Sequence, residues 1–370
     1  MGEGVKPHQL DEYPVHQAPL SMARTATTDR NFYDRNYFNA QNRDGGTFLV
    51  TGFGVYPNLG VVDAFATVKK GDRQLAVRFS DAYDRRGTES EVGGYRIEVI
   101  EPLKQVRVIC EHDDLSFDIT WDGSFDAVLE ELHINMDGPR AILEATRFAQ
   151  VGSWSGTLSA FGEDVIVDPA VWLGTRDRSW GIRPSGDMDP AGRRADEPRE
   201  GHWWTYVPLR FDDFMIIVIA QEDPDGFRTL NHATRVFGDG RVEQLGWPRF
   251  ETAYRSGTRL PESARIHLTT PQGDPLVIDV EPKTFVNLNR GCGYVGDPDW
   301  GHGMWKGRDW SSSAEYDLGS DDYLAMLPYG TLDHVARATC NGVEGWGMFE
   351  HAVLGRHDPS GFVGWLDMAP

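Results

Sequence analysis

The sequence holds only three cysteines in 370 residues, Cys110, Cys292 and Cys340, without Cys-x-x-Cys spacing, and no Asn-x-Ser/Thr sequon. An odd, unpatterned set argues against a disulfide-stapled secreted scaffold and fits a reducing compartment. Basic side chains are scarce as well: 36 stand against 57 acidic ones, a formal net charge of -21. Such a field repels nucleic-acid phosphate and anionic lipid, so neither is an expected partner. Long apolar runs are missing. The strongest, Phe214 to Ala220, falls short of the roughly 20 residues that span a bilayer, and the N-terminus shows no apolar signal segment. The expectation is a soluble, cytoplasmic protein with no membrane insertion. Wholesale disorder is excluded by a composition of 40% hydrophobic and 25% charged residues.

Helical periodicity is equally sparse, with Ala127 to Ile134 the best short candidate. Gly 41 and Pro 21 place a breaker about every six residues, too often for many helices of ordinary length. What is present is alternation: Tyr95 to Val99, Val106 to Cys110, Leu115 to Trp121, Arg265 to Leu268 and Leu276 to Val280 each put one face inward. Met215 to Ile219 reads as a strand covered on both sides. Asp-Gly pairs at 44–45, 122–123, 137–138, 225–226 and 239–240 signal hairpins, because both residue types tolerate positive φ. The fold class is therefore all-β, in lobes that close on themselves as barrels or sandwiches. The divisions read from composition are an extended arm over 1–30, a β-lobe over 31–183, a linker or loop over 184–201 and a second β-lobe over 202–370.

Most familiar catalytic signatures are absent. Gly291-Cys292-Gly293-Tyr294-Val295-Gly296 spells GxGxxG, but Asp297-Pro298 follows where a dinucleotide site needs a helix, so it reads as a Gly-rich β-connection. There is no P-loop, and Gly152-Ser153-Trp154-Ser155-Gly156 puts Trp where a nucleophile elbow has Ser. Eleven His residues show no metal-ligand spacing, so no metal is assigned.

Four stretches stand out. In Gly174 to Arg183, an extended chain puts Arg176, Arg178 and Trp180 on one face and Asp177 and Ser179 on the other. Arg176 and Arg178 are read as anion-stabilising or structural, Asp177 as an orienter or second acid, and Trp180 as a ligand wall; the plain counterpart is a salt-bridge knot between lobes. In His202 to Tyr206, imidazole, indole and phenol of His202, Trp204 and Tyr206 share a face. They suit a π-rich ligand with His202 or Tyr206 as general acid/base, or else form an aromatic core strand. The Pro57-Asn58 turn joins two early strands that carry Tyr56 and Asp63, both read as ligand-binding. Asp63 is a lone acid in an apolar run, either satisfied by backbone or Arg or held as an acid. Trp305, in a Gly- and Trp-rich piece, is read as part of a loop over a cavity mouth.

The pieces Phe53-Gly54-Val55-Tyr56-Pro57-Asn58, Phe148-Ala149-Gln150, Asp177 to Arg183 and Gly345 to His351 together resemble the carotenoid 1,2-hydratase-like superfamily, which includes tocopherol-cyclase-like and lipocalin-type Diels–Alderase proteins. The resemblance runs from about residue 30 to 355 and is specific around Ser179-Trp180-Gly181. It implies two lipocalin-like lobes, a hydrophobic ligand at or between them, and acid–base or cyclisation chemistry without a cofactor. The His-x-Trp associated with the hydratases reads Arg178-x-Trp180 here, and their Tyr-x-Asp has Trp204-x-Tyr206 as its nearest counterpart, so carotenoid hydration is not carried over.

The function expected is a cofactor-independent lyase-type or isomerase enzyme acting by proton transfer on a hydrophobic aromatic molecule, such as a lignin-derived phenolic, or on an isoprenoid. The alternative is a lipocalin-like carrier with no chemistry. A carbohydrate-processing protein ranks third, because no carboxylate pair is evident from spacing. Beyond the small molecule, the partner that remains open is a second copy in a homodimer.

Overall fold

The computed structural model describes residues 6–14, 24–43, 45–84, 87–186, 200–294, 297 and 300–370. The central parts of the expected linker and of the N-terminal arm, Asp44 of the first Asp-Gly pair, and Val295 and Gly296 of the Gly-rich motif lie outside the described residues.

The first half forms β1 (Phe32–Gln41), β2 (Thr47–Tyr56), β3 (Val61–Lys70), β4 (Arg73–Ala82), β5 (Ser90–Val92), β6 (Tyr95–Glu101), β7 (Gln105–Cys110), β8 (Leu115–Gly123), β9 (Val128–Leu129), β10 (His133–Asp137), β11 (Arg140–Ala160), β12 (Glu163–Val167) and β13 (Leu173–Ile182). The second half adds β14 (Gly201–Arg210), β15 (Phe214–Glu222), β16 (Arg228–Phe237), β17 (Val242–Gln244), β18 (Arg249–Tyr254), β19 (Pro261–Thr269), β20 (Pro275–Asn287), β21 (Trp310–Asp317), β22 (Leu332–Cys340) and β23 (Val343–Gly355). Among the described residues a single short α-helix, α1 (Asp321–Met326), interrupts the strands.

Two curled antiparallel sheets result, the all-β, two-lobed architecture expected from the alternation. One runs β21-β4-β3-β2-β1-β13-β11-β8-β7-β6-β5, the other β17-β16-β15-β14-β23-β22-β20-β19-β18. The strand over 310–317 crosses back from the second half to pair with β4, so each half contributes to the first sheet.

Period-2 geometry explains how one chain fills three cores. In β2, Leu49, Phe53 and Val55 point into the first lobe, while Phe48 and Val50 point between the lobes. In β15, Ile216 and Val218 fill the second lobe, and Met215, Ile217 and Ile219 meet Phe48, Val50 and Val151 across the interface. Both faces of β15 are thus apolar because each faces a different core. The packed interface fixes the relative placement of the lobes, and the site depends on that placement.

Some local expectations change. Ala127 to Ile134 forms β9 and β10 rather than a helix: Ala127 and Val128 are buried, whereas Leu132 and Ile134 are exposed, so no helical stripe exists to bury. The long β11 offers both short strands a ladder partner instead. Asp122-Gly123 ends β8 opposite Ser153 and Gly152 and makes no hairpin; a Cβ at Gly123 would strike the Gln150 amide, so close approach is its use for glycine. The 137–138, 225–226 and 239–240 pairs do turn, with φ of 57°, 85° and 79° at the glycines.

Gly181 of the Ser-Trp-Gly motif sits at φ 137°, and a Cβ there would lie 2.0 Å from the Glu144 carbonyl oxygen of β11. Both backbone strain and that collision oppose any side chain. Gly181→Ala is expected to lose about 2 kcal/mol or more in urea melts. A wild-type melt from that variant would show the β11–β13 contact to be looser than drawn.

Candidate functional site

β11 and β13 of the first sheet face β14 and β23 of the second, and a cavity of about 490 Å³ opens between them. That volume accommodates a small organic ligand. Alternation along each strand supplies the lining: Leu143, Ala145 and Arg147 from β11, Asp177 and Ser179 from β13, His202 and Trp204 from β14, and Glu350, Ala352 and Leu354 from β23. Tyr33 and Tyr37 of β1 and Tyr294 of the Gly-rich loop close one side. On another side the β10 hairpin reaches across the lobes. Its His133 stacks on Trp204 with ring centroids 5.4 Å apart and bonds Gln221 at 2.9 Å, while Asn135 accepts from Gln221 at 2.7 Å.

The charge inside is unbalanced. Arg147 donates to Glu130 at 2.5 Å and spreads its guanidinium over the Tyr206 ring, 4.5 Å from the centroid. The same guanidinium is the attraction felt by Glu130, Asp177 and Glu350 together. Arg147 is the cation common to all three acids, while Asp177 also feels Arg35 and Arg183. Burial raises Glu130 to about 7 against the pull of Arg147, and raises Glu350 to about 7 as well. Asp177 is raised by the same cause. Behind Glu350, Asp333 stands directly opposite it in the β22–β23 ladder, and Tyr37 donates to Asp333. Two acids so placed cannot both ionise, so burial and the Glu350 charge push Asp333 well above the carboxylate range. With values near 7, Glu130 and Glu350 exchange protons around neutral pH, which is what a general acid or general base requires.

Of the residues singled out from sequence, Asp177, His202 and Trp204 meet in this cavity. Tyr206 lies one layer beneath it, buried under Arg147, where burial and the Glu130 charge hold its phenol protonated. Arg176 and Arg178 point the other way, into the first lobe. Arg176 grips Glu12 with two bonds of 2.9 Å, and Arg178 binds the Glu12 carbonyl and Asp34, each at 2.7 Å. The alternation along β13 is as expected, but the face turned to the cavity is that of Asp177 and Ser179, because Glu12 fills the arginine side. Trp180, on the arginine face, does not line the cavity. Tyr56 and Asp63 bond each other at 3.2 Å, and Asp63 accepts from the Gly303 amide at 2.6 Å, closing a separate buried cluster. Trp305 is half exposed and lines no part of the cavity. The Gly-rich motif is folded around its own acid: Gly291 and Gly293 donate to Asp297, at 2.7 and 3.3 Å.

Sequence reasoning did not single out Glu130, Arg147 or the role of Glu350. Glu130 lies in Ala127 to Ile134, the best short helical candidate, whose pattern gave it no partner, and Glu350 stands in a charged Glu-His pair with no visible partner. A larger groove of about 830 Å³ runs along the second lobe past Trp203, Glu222, Arg228, Phe250 and His357. Several of its charged groups are paired, Glu222 with Arg228 and Arg265 with Asp279. The inter-lobe cavity is the one lined by carboxyl groups that burial raises to about 7.

Solved structures share the fold. A protein assigned as AttH from Nitrosomonas europaea aligns with TM-score 0.54 at 14% identity over 92% of this chain and 98% of its own. Kievitone hydratase from Nectria haematococca aligns with TM-score 0.51 at 15% identity, covering 92% and 93%. CghA aligns with TM-score 0.51 at 13% identity over 88% and 89%, and is also solved with Sch210972. At these identities the likeness establishes the fold, and the carotenoid-hydratase branch remains a resemblance. No curated protein sequence matches significantly. A family model does match over residues 8–363, and the chain belongs to that family, the Family of unknown function (DUF8625).

Proposed function

We propose that the protein is a lyase- or isomerase-type enzyme that moves protons on a hydrophobic small molecule, aromatic or isoprenoid, held in the inter-lobe cavity. The observation that carries this reading is the gathering of Glu130, Asp177 and Glu350 around Arg147, with Asp333 paired to Glu350 behind. In the hydration direction, a protonated carboxyl at Glu350 gives its proton to an alkene carbon of the ligand. Water adds to the cationic carbon so formed and releases its own proton to an ionised neighbour, Asp177 or Glu130. Dehydration runs the same steps backwards, and isomerisation omits the water. Trp204, stacked on His133, offers a π-face to positive charge in the ligand. Arg147 stabilises whichever carboxylate is left ionised, and His202 on the cavity wall exchanges protons with solvent. The shared fold with a hydratase agrees with this chemistry.

A carrier needs none of these acids, which separates the two readings. Native mass spectrometry of co-purifying ligands names the compound class, and incubation of that ligand in D₂O reads proton transfer as carbon-bound deuterium. Glu350→Gln is expected to slow exchange roughly 100-fold or more while ligand affinity stays within about threefold. A wild-type protein that binds its ligand and exchanges nothing is a carrier.

A further inference from the structure

Arg183 is the second guanidinium on the cavity wall, and its surroundings differ from those of Arg147. Its charge lies 5.5 Å from the Tyr33 ring centroid and 5.7 Å from that of Tyr294, so two phenol rings bracket it. Among the described residues no carboxylate comes within ion-pair distance of it, although Asp177 and Asp63 both feel its field. Other arginines of the interior are held by hydrogen bonds: Arg147 to Glu130, Arg176 to Glu12, Arg178 to Asp34, Arg35 to His302 and Arg259 to the Val353 and Gly355 carbonyls. Among the described residues Arg183 has only the two phenol rings beside it, and it borders the cavity.

We infer that Arg183, framed by Tyr33 and Tyr294, is an anion subsite, so that the ligand of this cavity is an amphipathic acid with a planar oxyanion, carboxylate or phenolate/enolate, at one end. The inference rests on the proposed use of the cavity and names its substrate class. A guanidinium presents a planar fork that matches such groups with two parallel hydrogen bonds, and rings on either side exclude the water that would weaken them. The apolar remainder of the ligand then lies along Leu143, Ala145, Ala352 and Leu354, toward the acids around Arg147. The overall charge of -21 does not oppose this at contact distance, since salt screens exposed charges beyond about 8 Å at physiological ionic strength.

The test uses the full chain and a matched pair of probes, 2-naphthoate and 2-naphthylmethanol, titrated calorimetrically into wild type, Arg183→Gln and Ala352→Trp, the last filling the cavity. Wild type is expected to bind the acid at least tenfold tighter than the alcohol. Arg183→Gln should erase that preference while keeping the alcohol affinity and the wild-type melting temperature, and Ala352→Trp should abolish both. An acid preference that survives Arg183→Gln, or that is absent from wild type, overturns the anion subsite and leaves the cavity reading intact. Probes that bind Ala352→Trp as well as wild type, or bind neither protein, overturn the cavity reading and the subsite with it. 4-Nitrophenol distinguishes the anion type. Phenolate absorbance that rises on binding wild type but not Arg183→Gln assigns a phenolate or enolate, and acid preference without that rise assigns a carboxylate.

Discussion

Arg147→Met is expected to destabilise the protein by roughly 3–5 kcal/mol at pH 8, and by much less at pH 5. The substitution keeps most of the side-chain volume over Tyr206 and Trp204 but removes the one cation shared by Glu130, Asp177 and Glu350. Glu130 is almost fully buried, and its second oxygen already lacks a hydrogen-bond partner. Left without a counter-charge it must take up a proton. Folded values near 7 for Glu130 and Glu350 stand above the ordinary carboxylate value near 4.5, so the folded state holds protons that the unfolded chain releases. Stability from these groups is therefore full below about pH 4.5 and declines as pH rises toward 7. Losing Arg147 pushes Glu130 higher still and steepens that decline. Urea melts of both proteins at pH 5 and pH 8 check it; an equal loss at the two pH values would mean that Arg147 contributes only packing.

Glu12→Ala is expected to cost a similar roughly 3–5 kcal/mol at pH 7, with the opposite pH profile. Glu12 satisfies Arg176 through two bonds, accepts from the Leu103 amide at 2.6 Å, and lends its carbonyl to Arg178. Arg176, 1% exposed, would be left inside the first lobe with Gln150 as its remaining polar partner, at 2.8 Å. Burial alone would raise the Glu12 carboxyl, but Arg176 and Arg178 outweigh it and hold it below its usual value. A depressed folded pKa stabilises above the unfolded value near 4.5, and that contribution is lost as pH falls through the folded value. The deficit of Glu12→Ala should therefore shrink on acidification below pH 4, whereas wild type itself weakens there. A deficit constant from pH 7 to pH 3 would show that the bridge stays intact in acid or contributes nothing. The two variants distinguish two kinds of buried arginine: one sharing too many acids around a cavity, one matched to a single acid in a packed interior.

That difference was invisible along the chain. Arg176, Asp177 and Arg178 are adjacent, and period-2 geometry assigns them to two faces from sequence alone; which face meets a cavity depends on Glu12, 164 positions away from Arg176. Likewise Glu350 and Asp333 become a proton-sharing pair only through the β22–β23 register, and Glu130 joins Arg147 only because β9 pairs with β11 instead of forming a helical turn.

Strand alternation, breaker frequency and Asp-Gly turns were enough by themselves to specify an all-β chain, because these signals act within a few residues and depend on backbone geometry common to all proteins; the two lobes were read from chain length, the break near 184–201 and the family resemblance. The aromatic stripe of His202 and Trp204 and the acid at Asp177 were legible for the same reason. The tertiary structure alone decided which charges face each other in low dielectric, since the energy of a buried charge depends on its distance to others and on excluded water, and both are set by contacts between strands far apart in sequence.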